Sequence, residues 1–130
     1  MSDKIGEAGK ISAAKRALSY VKDDMIVGLG TGSTAAYFVQ FLSEQVADGL
    51  TITGIPTSRA TEKMAKKLGI KIETDSNGVI DIDFDGADEV DSSGNLVKGG
   101  GGALTREKII AASSRMFIVM VDDSKLTEVN

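Results

Sequence analysis

The stretch Met25–Val46, MIVGLGTGSTAAYFVQFLSEQV, carries the clearest structural signal in this chain of 130 residues. Its first five residues, Met25–Leu29, are a short apolar run that predicts a buried strand. Glycines follow at once, and a helix is predicted from Thr34 to Val46. The apolar positions of this helix fall on one face: Ala35, Phe38, Val39 and Leu42. A strand, a glycine turn and an amphipathic helix in this order predict one unit of a parallel α/β sheet.

The same alternation continues on both sides of this unit. Further strands are predicted at Thr51–Ile55, Ile70–Glu73, Val79–Phe84 and Met116–Val121, the last of them fully buried. Further helices are predicted at Asp3–Val21, Ser58–Leu68 and Leu104–Ala112. The inward face of the first is expected to carry Ile11, Ala14, Leu18 and Val21. Ser58 is expected to be an N-cap, and Gly69 is expected to stop the same helix.

The fold class expected from this pattern is α/β, with an open, mainly parallel twisted sheet and helices on both faces. It is Rossmann-like, without a dinucleotide site. Residues 1–130 are expected to form a single α/β catalytic domain. In such sheets ligands bind beyond the carboxyl ends of the strands, and the distinctive segments of this chain follow strands there.

Composition excludes several classes of function. The chain has no cysteine and no histidine, which excludes disulfides, thiolate nucleophiles, imidazole acid–base chemistry and zinc sites of the usual kind. Its net charge of −4 argues against a nucleic-acid or anionic-membrane partner. With no secretory or membrane-spanning pattern in the sequence, a soluble, cytoplasmic protein is expected. Any proton transfer must then use Asp, Glu, Lys or Tyr.

The glycine turn fits the loose dinucleotide pattern Gly30-x-Gly32-x-x-Ala35. The second predicted strand, however, runs into Pro56-Thr57-Ser58, without the acid that a ribose hydroxyl requires. A monophosphate cradle is the better interpretation, with backbone N–H groups, a helix N-terminus and hydroxyl donors from Thr31, Ser33 and Thr34. Under either interpretation, Ser33 or Thr34 is expected to cap the helix.

The segment Asp81–Gly86, DIDFDG, matches the first half of an EF-hand calcium loop. The twelfth position of that loop requires a bidentate Glu, and here it is Ser92. Calcium is therefore rejected, and Asp81 and Asp83 are expected to be solvent-facing strand residues.

The stretch Asp85–Lys108, DGADEVDSSGNLVKGGGGALTREK, is costly as a purely structural element. Its carboxylates repel one another, and its four consecutive glycines lose backbone entropy on folding. Taken singly, Asp85, Lys98 and Glu107 have ordinary explanations as a turn, a solvated cation and a first-turn helix acid. Together with Asp88 they are equally consistent with a carboxylate-based active site, and the residues alone leave both interpretations open.

The chain resembles ribose-5-phosphate isomerase type A in four blocks that follow the order found in that family. They are GLGTGST (Gly28–Thr34), DGADE (Asp85–Glu89), KGGGGALTREKI (Lys98–Ile109) and DDSK (Asp122–Lys125). The resemblance implies an isomerase of the pentose phosphate pathway that interconverts D-ribose 5-phosphate and D-ribulose 5-phosphate, without metal or organic cofactor. It also implies a cytoplasmic homo-oligomer, either a dimer or a tetramer.

Two features depart from the family pattern. Many members have alanine where this chain has Gly102. Members also continue well beyond the position of Asn130, with elements that complete the first domain and with a second, small domain. The chain is therefore expected to be incomplete at its C-terminal end, and its activity alone is an open question.

Residue by residue, the resemblance implies that Glu107 is the general base, with Asp85, Asp88 and Lys98 as further catalytic groups. The substrate-binding positions that it implies are Lys10, Thr31, Gly32, Ser33, Thr34, Asp85, Gly86, Ala87, Asp88, Lys98, Gly99, Gly100, Gly101 and Lys125. Asp85 and Asp88 would bind sugar hydroxyls, and Lys98 with the glycine amides would stabilise an enediolate. Two other classes are alternatives: a non-catalytic sugar-phosphate sensor domain of related fold and half of an acyl-CoA transferase.

Overall fold

The computed structural model describes residues 2–74, 79–87, 89–90, 96–97, 104–121 and 126–129, with side chains at 8–74, 79–86 and 108–120. The helices are α1 (Ser2–Leu18), α2 (Ser33–Ala47), α3 (Arg59–Lys67) and α4 (Leu104–Ala112). The strands are β1 (Met25–Leu29), β2 (Ile52–Pro56), β3 (Ile80–Ala87), β4 (Glu89–Val90), β5 (Leu96–Val97), β6 (Ser114–Val121) and β7 (Leu126–Val129).

The main sheet has the strand order β2-β1-β3-β6-β7. Strands β2, β1, β3 and β6 run parallel to one another, and β7 is antiparallel to β6. Leu29 pairs with both Pro56 and Phe84, so β1, β2 and β3 are aligned near their carboxyl ends. The short strands β4 and β5 form a separate antiparallel pair. The expectation of an open, mainly parallel sheet is confirmed.

Helices cover both faces of the sheet, as expected. On one face α1, α2 and α3 bury side chains in a common core with β1 and β3. Phe38 and Phe84 stack there with ring centroids 4.3 Å apart. All four positions predicted to face inward on α2 are buried. On the other face Ile110 of α4 packs with Ile55 and Ile80 in a smaller cluster.

The first helix ends earlier than predicted, at Leu18, so Val21 does not belong to its inward face. The N–H groups of Ser19, Tyr20 and Val21 each donate to the carbonyl three residues back, which tightens the last turn and ends the helix. From residue 8 onward, where the side chains of α1 are described, the fully buried ones are small: Ala13, Ala14 and Ala17. Small side chains let α1 lie close to α2 and β6, both of which it contacts.

Two strand predictions require correction. The segment Ile70–Glu73 makes only one parallel bridge, between Ile72 and Gly54. It adds a single pair of hydrogen bonds to the edge of β2, too few to extend a ladder. The last predicted strand begins earlier, at Ser114, and Met116 and Phe117 are only partly buried.

The prediction that Asp81 and Asp83 face solvent is wrong. Asp83 is only 1% exposed, and Asp81 is partly buried and accepts a hydrogen bond from the Ile26 N–H at 2.7 Å. The reason is that β3 is the middle strand, and its acidic face is covered by α4. Gly28 lies beside Asp83 in the sheet register and leaves room for the carboxylate.

No helix in the described part of the chain is long and apolar enough to cross a membrane. Among the same residues, no group of three acidic side chains is arranged to hold a metal ion.

The contact between Gly28 and Asp83 predicts that substitutions at these two positions have non-additive effects on stability. A Cβ at Gly28 would lie 2.9 Å from Asp83 Cγ and 3.0 Å from Ile110 Cγ2. The substitution Gly28→Ala should therefore lower the free energy of unfolding by about 1–3 kcal/mol, measured by urea denaturation. In an Asp83→Ala background the same change should cost less, because its nearest neighbour has gone. Strictly additive effects would contradict this packing.

Candidate active site at the carboxyl edge of the sheet

The loop from β1 to α2 is fixed to the end of β3 by backbone and carboxylate contacts. Gly30 N donates to the Phe84 carbonyl at 2.8 Å, and Thr31 N donates to Asp85 Oδ1 at 3.3 Å. A Cβ at Gly30 would lie 2.6 Å from the Phe84 oxygen and 2.7 Å from Asp85 Cα, so only glycine fits at this position. The glycine of this turn is therefore required by close approach between two parts of the backbone.

Asp85 joins the loop to the strand that carries it. Its side chain is 5% exposed, and Oδ1 also accepts from the N–H of Gly86 at 2.9 Å. One carboxylate oxygen thus binds two backbone N–H groups from two separate segments. Whatever Asp85 does with a ligand, its orientation is fixed by these bonds.

The N-terminus of α2 opens at the same edge. Its N-cap is Gly32, with φ of 110°, and the cap makes no side-chain hydrogen bond. The prediction that Ser33 or Thr34 caps the helix is therefore wrong: both residues already belong to its first turn. A positive φ is easy only for glycine, which lets the chain turn directly into the helix. The first N–H groups of a helix have no intrahelical acceptor, and they carry a partial positive charge.

Gly86 brings the end of β3 against this helix start. A Cβ there would lie 3.1 Å from Thr34 Cβ and 3.6 Å from the Ala35 nitrogen. Thr34 is buried at this contact, whereas Gly32 and Ser33 are exposed. The phosphate-binding segment and the acidic turn expected from the sequence are therefore neighbours.

The structure adds to this edge three polar residues that sequence reasoning did not select as site residues. Thr57, Ser58 and Thr61 follow β2, and their hydroxyl groups form a cluster with that of Thr31. Thr31 Oγ1 lies 2.9 Å from Thr57 Oγ1 and 3.0 Å from Ser58 Oγ. The signal was available, since three hydroxyl residues in PTSRAT follow a strand that ends at the same edge of the sheet.

The remaining predicted site residues divide into two groups. Lys10 lies on α1 and is partly buried, and Ala87 is the last residue of β3, paired with Val121. Glu107 lies in the first turn of α4, and its side chain is outside the described ones. Six others lie outside the described residues altogether: Asp88, Lys98, Gly99, Gly100, Gly101 and Lys125. Gly102, in the same glycine run, also lies outside the described residues.

A groove of about 240 Å³ lies beside the hydroxyl cluster. It is lined by Pro56, Ser58, Arg59, Glu62 and Thr74. It shares Ser58 with the cluster but contains none of the positions predicted to bind substrate.

The two bonds to Asp85 predict a stability difference between two substitutions. Asp85→Ala should lower the free energy of unfolding by about 1–3 kcal/mol, because buried N–H groups lose their acceptor. Asp85→Asn keeps an oxygen that can accept both bonds and should lose clearly less. The matched control is Asp23→Ala, which removes an exposed carboxylate that also accepts from a backbone N–H, that of Thr51, at 2.9 Å. Equal losses for the three variants in urea denaturation would contradict the anchoring role.

Relatives of this chain are known from sequence. A family model described as ribose 5-phosphate isomerase A (phosphoriboisomerase A) matches residues 53–130. Ribose-5-phosphate isomerase A of Picrophilus torridus is 56% identical over 122 residues, which are 94% of this chain and 56% of the relative. The Nitrobacter hamburgensis protein of the same name is 54% identical over 120 residues, 92% of this chain and 52% of the relative. The chain thus spans about half the length of the curated relatives it matches.

Solved structures with the same fold carry the same protein name as the relatives found by sequence. A D-ribose-5-phosphate isomerase in complex with phospho-erythronic acid superposes with a TM-score of 0.82 at 46% identity, over 90% of this chain and 55% of that one. Ribose 5-phosphate isomerase A of Methanocaldococcus jannaschii gives a TM-score of 0.81 at 41% identity, over 90% of this chain and 55% of that one. On the family match and on these likenesses in sequence and fold, the chain belongs to the ribose 5-phosphate isomerase A family.

Proposed function

We propose that this chain takes part in the interconversion of D-ribose 5-phosphate and D-ribulose 5-phosphate, as an aldose–ketose isomerase of the pentose phosphate pathway. The observation that carries the proposal is the meeting of the α2 N-terminus with Asp85 and Gly86 at one edge of the sheet, in a member of this family. That edge offers N–H groups for a phosphate beside a carboxylate for sugar hydroxyls. One solved D-ribose-5-phosphate isomerase is in complex with phospho-erythronic acid, which carries a phosphate, hydroxyl groups and a carboxylate.

The phosphate is proposed to bind at the start of α2. The N–H groups of the first turn and the hydroxyls of Ser33 and Thr34 would donate to its oxygens, and the helix dipole favours an anion there. Gly32 adds no side chain at this point, and the space around its Cβ direction is open. Because the chain has a net charge of −4, we propose that Lys10, Lys98 and Lys125 supply a local positive potential.

The proton transfer is proposed to use Glu107 as general base, moving a proton between C2 and C1 through an enediolate. The topology supports this role. α4 ends at Ala112, next to the start of β6, where Ser114 pairs with Ile80 at the amino end of β3. Rising about 1.5 Å per residue, the helix begins towards the carboxyl edge. Glu107 lies in the first turn of this helix.

The remaining catalytic groups are proposed by their chemistry. Asp85 and Asp88 would bind sugar hydroxyls, and one of them would assist opening of the furanose ring. Lys98 and the amides of Gly99, Gly100 and Gly101 would stabilise the negative charge that develops on the enediolate. The reaction needs only a base, an electrophile and positioned hydroxyl contacts, so the proposal includes no metal or organic cofactor.

We also propose one catalytic domain for residues 1–130, a cytoplasmic location and assembly into a homodimer or homotetramer. Support for further contacts comes from two exposed apolar side chains, one on α4 and one just before β3. Ile109 is 62% exposed, and Val79, just before β3, is 50% exposed. Either a partner subunit or additional chain of the kind present in the longer relatives would cover them.

Replacement of the proposed base gives the most direct test of the chemistry. Glu107→Gln should lower kcat by about 10²–10⁴, the contribution of a general base, and leave the dissociation constant for ribose 5-phosphate nearly unchanged. The assay follows ribulose 5-phosphate formation by this chain, and by a chimera that adds the C-terminal half of the Picrophilus torridus relative. Glu44→Gln, at an exposed position of α2, is the matched control. A chimera that retains its rate with Gln at position 107 would rule out the base assignment.

The phosphate site is tested with two ligands. Changing Ser33 and Thr34 to Ala should weaken ribose 5-phosphate binding about tenfold or more, because hydrogen bonds to a charged group are lost. Binding of ribose, which has no phosphate, should change little. Ser43→Ala on the same helix is the control, since its hydroxyl bonds only the Gln40 carbonyl among the described contacts. Isothermal titration that shows equal losses for both sugars would remove the phosphate assignment.

A further inference from the structure

Arg59 carries a positive charge at the carboxyl edge of the sheet. It is the first residue of α3, directly after the Ser58 N-cap, and it is exposed. The Ser58 hydroxyl lies 3.0 Å from that of Thr31, which belongs to the loop that leads into α2. Arg59 is therefore one residue away from the contact that joins the starts of α2 and α3.

The charge of Arg59 is not neutralised by a neighbouring carboxylate in the described part of the chain. Glu62 lies one turn further along α3 and lines the same groove as Arg59. Its carboxylate, however, is bound to the Lys66 ammonium at 2.9 Å. Among the described residues, no hydrogen bond or ion pair involves the Arg59 guanidinium. An exposed and unpaired guanidinium keeps its full charge and acts on other ions through the solvent.

Further cations continue along α3 and just beyond it. Between positions 59 and 73, five cations stand against two acids, an excess of three positive charges in a chain whose net charge is −4. The remaining residues together therefore carry −7. The next charged residue, Asp75, lies outside the described residues. All five cations of this segment are exposed: Arg59, Lys63, Lys66, Lys67 and Lys71.

Distance decides which of these charges matter at the carboxyl edge. α3 begins there, directly after β2, and leads back along the sheet to the parallel bridge beside β2. At a rise of about 1.5 Å per residue, Lys63 lies about 6 Å and Lys67 about 12 Å further along the helix axis than Arg59. The screening length at physiological ionic strength is about 8 Å. Arg59 therefore acts most strongly at this edge, Lys63 less, and Lys67 very little.

We infer that Arg59, supported by Lys63, is a steering residue, whose charge attracts the phosphate of the substrate to the carboxyl edge without binding it. This inference rests on the proposed function, in which a sugar phosphate binds at the start of α2. A phosphate dianion is repelled at long range by a molecule of net charge −4, and an exposed cation beside the site lowers that repulsion locally. Charges at the rim of a site act mainly on the association rate and on its salt dependence.

Charge variants of Arg59 test the field. Inorganic phosphate and ribose 5-phosphate are titrated into this chain at an ionic strength of about 10 mM, where the screening length is about 30 Å. Arg59→Gln should weaken the binding of both ligands about two- to threefold, the effect of a unit charge on a nearby dianion in water. Arg59→Glu changes the charge by two units and should weaken both about four- to ninefold. In 1 M NaCl, where the screening length is about 3 Å, these differences should disappear.

Arg59→Lys separates a field from a direct contact. It keeps the charge and should bind both ligands within about 1.5-fold of the wild type at low salt, since a field does not depend on the shape of the cation. A contact that needs the planar guanidinium would be lost in Arg59→Lys. Such a loss, or a weakening in Arg59→Gln that persists in 1 M NaCl, would overturn the inference.

Lys67→Gln is the matched control, because it removes the same charge from an exposed position of the same helix, two turns away. It should change the affinity for both ligands less than about 1.5-fold. A loss equal to that of Arg59→Gln would show an effect of net charge alone and would overturn the assignment to Arg59.

Folding is checked by urea denaturation. An acid in the first turn of a helix is favoured by the helix dipole, so Arg59→Glu should keep or raise the denaturation midpoint while it weakens ligand binding. The weaker binding then cannot come from a loss of structure.

The wild-type chain separates this inference from the proposed function on which it rests. A wild-type chain that binds neither ligand would overturn the proposed function, and the inference with it. A wild-type chain that binds both ligands, with no difference among the Arg59 variants at low salt, would overturn the inference alone and leave the proposed function standing.

Discussion

The geometry at the carboxyl edge of the sheet depends on the hydrogen bonds that the carboxylate of Asp85 accepts. Its Oδ1 binds N–H groups of Thr31 and Gly86, which belong to the loop after β1 and to β3 itself. The Asp85 side chain and its bond to Gly86 are buried, and the bond to Thr31 is partly buried, so losing this acceptor is costly. These bonds hold the loop against the middle strand of the sheet. The loop in turn places the start of α2, so one side chain helps to set the position of this helix N-terminus.

Glycines make this arrangement sterically possible at two close contacts between backbone segments. Gly30 lets the loop backbone lie against β3, and Gly86 lets β3 lie against the first turn of α2. A side chain at either position would force apart elements that the Asp85 bonds bring together. The third glycine, Gly32, is needed for another reason, since its φ of 110° starts the helix immediately after the turn. Close approach at Gly30 and Gly86 and backbone conformation at Gly32 explain these three glycines better than flexibility does.

The local parts of the fold could be predicted from the sequence because their signals are local. The apolar run of β1, the buried face of α2 and the Ser58 cap all depend on residues a few positions apart, and all three are confirmed. The burial of Asp83 was missed because it depends on which face of β3 is covered by α4. The hydroxyl cluster was missed for the same kind of reason: Thr31 and Thr57 are 26 residues apart and meet only because β1 and β2 are neighbours. The cap at Gly32 was missed because residue preferences favour hydroxyl side chains as N-caps. The φ of Gly32, which makes it the cap, is set by the turn before the helix.

We propose that a phosphosugar binds at the carboxyl edge of the sheet, with its phosphate on the first turn of α2. The most direct measurement is a titration of the ¹⁵N-labelled chain with ribose 5-phosphate, followed by amide chemical shifts. The largest changes are expected at Ser33, Thr34 and Ala35, with Gly86 and Thr31 next. Changes concentrated instead around the groove at Arg59 and Thr74, with the start of α2 unaffected, would contradict the claim.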